Sequence, residues 1–191
     1  MKRVNAEKKG IRVLAIAESF GRHAKQSVLA GVVMRRDLVV DGFVFGLATV
    51  EGDDATDAIV AMHRSLYRDD ISCIIIDGQV ISMYNIIDGQ RVAEEAGLPV
   101  VAVTFEDSIG LEGAIRHHFP DSWPAKMEQY ERIGGREKIV LRTGKALYAR
   151  CWGLTTRRAT ALLNAFTLQG ALPEPVRVAK TAARAAANAF C

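Results

Sequence analysis

Residues 71–78, ISCIIIDG, restrict the architecture more than any other segment. An apolar, largely β-branched run without alternation is a strand buried on both faces, which requires strands on either side and helices above and below. It stops at a carboxylate followed by a glycine. Asp77 is therefore delivered to the carboxyl edge of a parallel sheet, where open α/β sheets bind ligands. Residues 11–17, IRVLAIA, are a second such run and lead into Glu18, and LPVVAVT, ending at Thr104, is a third.

The segments between these runs set their order. SVLAGVVMRR and LVVDGFVFGLATV, joined through Arg35, Arg36 and Asp37, read as an antiparallel hairpin continuing from the first strand. Apolar residues at Ala58, Ile59, Met62 and Leu66 follow with helical spacing, with Asp54 as N-cap and Asp57 three residues later. A second helix spans Ile86 to Ala96 and ends at Gly97, and a third runs from about Ser108 to His118. After a loop from Pro120 to Pro124 come a short polar helix, Lys126 to Ile133, and a late hairpin, REKIVLR and KALYARCW, turning at Thr143-Gly144. Thr155 or Thr156 caps a helix ending at Phe166, and Pro173, Glu174 and Pro175 open a final Ala-rich helix. The expected fold is α/β: a mixed five-stranded sheet flanked by helices, with its first, fourth and fifth strands parallel and its second antiparallel, plus the late β-hairpin and C-terminal helices. This is a ribonuclease H-like order.

Composition narrows the class. The 191 residues, 49% hydrophobic and 25% charged, suit one globular domain over 1–191, with residues 1–10 as a basic, flexible tail. A net charge of +3 permits nucleic acid without demanding it. Cys73, Cys151 and Cys191 have no paired spacing, so neither a disulfide framework nor a zinc site is expected. No signal peptide or membrane span is legible, and a cytoplasmic protein is expected. GxSxG, Walker and GxGxxG motifs are absent, and Cys73 lies within an apolar run where a thiol is inert, which sets aside nucleophilic enzymes and nucleotide kinases.

Hydrolysing a phosphodiester requires neutralising developing charge, which hard oxygen ligands achieve by holding Mg2+ or Mn2+. Glu18, Asp77 and one of Asp53 or Asp54 are the candidate catalytic and metal-binding residues, although helix capping also accounts for Asp53 and Asp54. Arg177, Lys180 and Arg184 fall three and four residues apart on the last helix and form a cationic stripe suited to DNA or RNA phosphates. Arg157, Arg158 and the tail residues Lys2, Arg3, Lys8 and Lys9 extend it. His117 and His118 are adjacent and point apart on a helix, so they read as surface residues at a helix end.

RVLAIAES, VVMRRDLVVDGFVFG, VEGDDATDAI, IIIDG, AGLPVVAVT, RTGKALYARCWG and LPEPVRVAK, in order over nearly the whole chain, resemble an uncharacterised, largely archaeal family related to endonuclease V. The resemblance implies a ribonuclease H-like fold, Mg2+ or Mn2+ held by Glu18, Asp54 and Asp77, and cleavage of nucleic acid near deaminated bases. Asp77-Gly78 matches the start of the D-G-H-G part of the endonuclease V motif, and Leu172 to Arg177 matches its L-P-E-P-x-R segment. Three departures stand out. Thr49-Val50-Glu51-Gly52 replaces a Pro-Tyr wedge, Gln79 replaces a histidine, and Lys180 replaces a histidine or acid. The same acidic cleft and basic stripe would also suit a non-catalytic nucleic-acid-binding or regulatory module, or a small-molecule enzyme or interaction scaffold.

Overall fold

The computed structural model describes Lys8, residues 10–107 and residues 110–190. Lys2, Arg3, Lys9, Ser108 and Cys191 lie outside the described residues. β1 (Arg12–Ser19), β2 (Gln26–Arg35) and β3 (Val40–Thr49) form the expected antiparallel succession, followed by α1 (Ala55–Ser65) and β4 (Ile71–Asp77). A small hairpin, β5 (Val80–Ile81) and β6 (Asn85–Ile86), precedes α2 (Gly89–Ala96) and β7 (Val100–Thr104). The chain continues through α3 (Glu112–His118), α4 (Trp123–Arg132), β8 (Glu137–Val140), β9 (Ala146–Trp152), α5 (Thr156–Ala165) and α6 (Glu174–Phe190).

The sheet has seven strands in the order β3-β2-β1-β4-β7-β9-β8. The five strands expected from sequence are its first five, with β1, β4 and β7 mutually parallel and β2 antiparallel to β1. The late hairpin extends this sheet, because β9 pairs antiparallel with β7 from Val100↔Trp152 to Thr104↔Tyr148. The first strands alternate as a twice-covered sheet must. Val13, Ala15 and Ala17 join the cluster beneath α5 and α6, whereas Leu14 and Ile16 join the one beneath α1 and α2. α6 lies on β1 and β2 through Val176, Ala179, Ala183 and Ala187, whose small side chains allow a close approach.

Three helix boundaries differ from the sequence reading. Ile86 belongs to β6, and α2 begins after Asp88, whose carboxylate accepts from the Arg91 N–H at 3.0 Å. α4 starts at Trp123 because Pro124 is tolerated in a first turn, where its missing N–H has no intrahelical partner. α3 begins at Glu112 among the described residues.

Away from the strand ends, Arg12, Asp41, Arg68 and Asp70 tie β1, β3 and the approach to β4 together. Arg68 bonds Asp70 through Nε and Nη2 at 2.8 and 2.7 Å and also reaches the Asp41 carbonyl at 2.7 Å. Hydrogen bonds from Arg12 and then Arg68 hold the Asp41 carboxyl below the usual carboxylate range, and Arg68 does the same for Asp70. Depressed folded pKa values contribute stability that is present above the ordinary carboxylate pKa and disappears as the pH falls through the folded values. Arg68→Met is therefore expected to lower Tm by a few degrees at neutral pH and to shrink the fall in Tm below about pH 4. Calorimetry across that range checks this, and an unchanged acid limb in the variant would show that the cluster contributes nothing.

Candidate active site

Parallel pairing of β1 with β4 runs to Ile16↔Ile76, which leaves Glu18 and Asp77 emerging from neighbouring strand ends. Glu18 has the parity of Leu14 and Ile16, and Asp77 that of Cys73 and Ile75, yet at the strand ends the two lie near enough for the Asp77 charge to act on Glu18. Gly78 follows at φ 86°, a left-handed turn that any other residue would adopt at a cost, and its N–H donates to the Val103 carbonyl at 2.8 Å.

Each carboxylate has a partner on its own side. Lys180 Nζ, reaching down from α6, lies 2.5 Å from Asp77 Oδ2, with 42% of the lysine side chain and 11% of the aspartate exposed. Glu18 accepts from the Ser82 N–H at 3.2 Å, and the Ser82 hydroxyl lies 3.5 Å from its second oxygen. Burial raises the Glu18 carboxyl above its ordinary pKa, with the Asp77 charge adding to the rise, while the Ser82 hydrogen bonds and the Lys180 charge oppose it.

Asp54 is placed differently. It occupies the N-cap position of α1 but makes no side-chain capping bond there. Its carboxylate instead accepts from Thr49 N at 2.9 Å, Thr49 Oγ1 at 2.7 Å and Asn85 Nδ2 at 2.8 Å, closing the corner between β3 and α1. Burial opposes ionisation of Asp54, but these hydrogen bonds outweigh it and hold the carboxyl below its ordinary value. Asp53 pairs with Lys126 Nζ at 2.5 Å. The structure thus brings Glu18 and Asp77 together and leaves both aspartates of the α1 corner engaged elsewhere. Among the described residues, no group of three His, Cys, Asp or Glu side chains is placed to hold a metal ion.

The cationic stripe is divided. Arg177 bonds Glu174 at 3.2 Å, Lys180 enters the carboxylate pair, and Arg184 is exposed. Arg157 and Arg158 are exposed on the first turn of α5, and Lys8 is exposed. His118 pairs with Glu51, whereas His117 is exposed. Gln79 is buried, donates to the Ile87 carbonyl at 3.0 Å and leaves Oε1 without a partner, so it braces the turn after β4. Cys73 is fully buried, which pushes its thiol well up; burial likewise pushes Cys151 up to about 11.

Sequence reasoning missed Ser82, Asn85 and Lys126. All three are buried polar residues. Lys126 Nζ also bonds the carbonyls of Gly52 at 2.7 Å and Tyr84 at 3.1 Å, joining α4 to the α1 corner and the β5–β6 hairpin. An asparagine within the apolar run YNII was the only local signal for Asn85.

These placements separate folding from chemistry. Asp54→Ala leaves the buried Asn85 amide short of an acceptor and is expected to cost about 1–2 kcal/mol. Asp77→Asn is expected to change stability by less than about 0.5 kcal/mol, because Lys180 can turn to solvent. Urea unfolding of the two variants checks the contrast, and equal losses would contradict it.

Comparison with known proteins agrees with this geometry. The family model described as endonuclease dU matches residues 9–187. A UPF0215 protein of Pyrobaculum calidifontis is 40% identical over 171 residues, covering 89% of this chain and 93% of its own length. The crystal structure of a protein of unknown function from Archaeoglobus fulgidus is similar with a TM-score of 0.79 and 30% identity, covering 92% of this chain and 98% of the other. Ciona intestinalis endonuclease V, in complex with a 24-mer DNA containing an inosine followed by a ribo-adenosine, has a TM-score of 0.62 at 11% identity, covering 96% and 88%. That last likeness establishes the shared, ribonuclease H-like fold. With the family model spanning nearly the entire chain, this protein belongs to the endonuclease dU family.

Proposed function

We propose that this chain is a divalent-cation-dependent endonuclease that hydrolyses a phosphodiester in DNA beside an altered base. Deoxyuridine, to which the family's name points, is the first base to test. The observation that carries the reading is the pair Glu18 and Asp77 at the ends of adjacent parallel strands, with the Lys180 ammonium on Asp77. Nucleic acid as the ligand is supported by the DNA bound to the endonuclease V of the same fold and by the exposed Arg184 on the helix that carries Lys180.

The donor set fits one hard cation. Mg2+ is commonly held by one or two carboxylates and completes its shell with water and phosphate oxygens, so a third protein ligand is not required. Glu18 and Asp77 would hold it, and bound there it supplies positive charge against the developing charge on the phosphate. Asp54 would join only by giving up its bonds to Thr49 and Asn85.

The protein's own groups do the rest. The Ser82 N–H fixes the Glu18 carboxylate, and the buried surroundings of Glu18 strengthen any charge interaction made at the edge. Lys180 balances Asp77 before a ligand arrives, and its half-exposed side chain is free to turn toward a non-bridging phosphate oxygen. Arg184, exposed one turn beyond Lys180 on α6, extends the positive surface along which a strand is positioned.

Wild type is expected to nick labelled deoxyuridine DNA with Mn2+ or Mg2+, and Asp77→Asn and Glu18→Gln to lose at least about a hundredfold in rate. Salt-sensitive DNA binding without nicking by wild type would instead favour a non-catalytic binding module, in which Lys180 stands permanently in place of a cation.

Lys180 also yields a divided effect. Lys180→Met removes a positive charge beside the carboxylates and is expected to tighten Mn2+ binding roughly five- to tenfold in calorimetry, while slowing cleavage at saturating Mn2+. Unchanged Mn2+ affinity would show that the ammonium and the cation do not compete.

A further inference from the structure

The turn between β5 and β6 carries a conformation its residues do not favour. Ser82, Met83 and Tyr84 have φ values of 45°, 54° and 68°, three successive left-handed residues without a glycine among them. Such a run persists only where its surroundings over-determine it, and it concentrates at functional sites. Here both ends are held. The Ser82 hydroxyl shares a 2.5 Å hydrogen bond with buried Ser27, its carbonyl accepts from the Glu51 N–H at 2.8 Å, and its own N–H is on Glu18. The Tyr84 carbonyl accepts from buried Lys126, and the Asn85 side chain bonds the Thr49 carbonyl and the Ala55 N–H at 2.9 and 3.1 Å.

What the clamped turn presents is aromatic and soft. Met83 at its tip is 42% exposed. The Tyr84 ring lies 5.0 Å from the His118 ring and 5.5 Å from that of Phe119, and His118, with 32% of its side chain exposed, is tethered by Glu51. Ser82, whose N–H lies 3.2 Å from the Glu18 carboxylate, is two residues from Tyr84, a reach of at most about 7 Å between their α-carbons. Arg116 and His117, both exposed, border the cluster on α3.

We infer that Met83, Tyr84 and His118 form a stacking platform for one unpaired nucleobase of the nucleic-acid strand whose phosphate lies at Glu18 and Asp77. The inference rests on the endonuclease reading and assigns its base contact. An enzyme that acts beside a particular base must take that base out of its stack and hold it against aromatic or apolar side chains. The Thr49–Gly52 turn has no aromatic side chain, and the hairpin next to it carries one. Hydrogen bonds from deeply buried polar groups to the two ends of the turn keep the platform rigid, so little ordering is required when a base arrives.

The test uses the full chain and a duplex with a single deoxyuridine and 2-aminopurine as its neighbour. With Ca2+ in place of Mn2+, wild type is expected to raise the 2-aminopurine fluorescence as the stack opens. Tyr84→Ala and His118→Ala should abolish that rise and lower kcat/KM on the duplex roughly tenfold or more, with a smaller loss on the same strand unpaired. Tyr84→Phe, which keeps the ring, should restore both signals. His118 lies outside the strained turn, so its variant reports on stacking even where Tyr84→Ala disturbs folding. Wild-type fluorescence and kcat/KM in folded Tyr84→Ala and His118→Ala would overturn the platform while leaving the endonuclease reading intact. A wild-type protein that neither binds nor nicks the duplex would overturn both.

Discussion

Two like charges brought to one sheet edge govern this structure. Parallel pairing of β1 and β4 leaves Glu18 and Asp77 as neighbours, and carboxylates so placed must be separated, protonated or neutralised. The protein answers the second by burying Glu18, whose carboxyl is raised above its ordinary value. It uses α6 for the last. Alanines at 179, 183 and 187 let that helix lie close on β1 and β2, and the close approach brings the Lys180 ammonium onto Asp77. The packing of small apolar residues and the electrostatics of the edge are one arrangement, since a helix held farther out could not deliver the lysine.

A second set of polar contacts surrounds this edge, with Ser27, Ser82, Asn85 and Lys126 buried and Asp54 half-buried. Asp54, Asn85, Ser27, Ser82 and Lys126 join the β3–α1 corner, the β5–β6 hairpin and α4 through direct hydrogen bonds. In a low-dielectric surrounding such a network is rigid when satisfied and costly when broken, because each group left alone bears its full desolvation cost. That rigidity sustains three left-handed residues at Ser82, Met83 and Tyr84 and holds the Ser82 N–H against Glu18. Asp54, matched to a metal-ligand position by family resemblance, belongs to this supporting network in the structure.

The strands were legible because burial on two faces writes itself locally. IRVLAIA, ISCIIIDG and LPVVAVT contain few polar residues, and their ends announce Glu18 and Asp77. Helix starts were less secure where several residues compete. Asp54 is a good N-cap by type, yet Thr49 and Asn85 capture its carboxylate from outside the helix. The attachment of the late hairpin to β7 was not legible either, since KALYARCW alternates like any exposed hairpin and only the empty edge of β7 selects its place.

By itself the sequence determined the strands of the main sheet, the order of the first five, and that two carboxylates end the first and fourth of them, because backbone periodicity and burial act over neighbouring residues. Tertiary structure alone decided which charges meet. Lys180 lies 103 residues from Asp77, Ser82 lies 64 from Glu18, and Lys126 lies 73 from Asp53. Contacts across such separations depend on how helices settle on the sheet, and no local pattern records the distance between two elements before they pack.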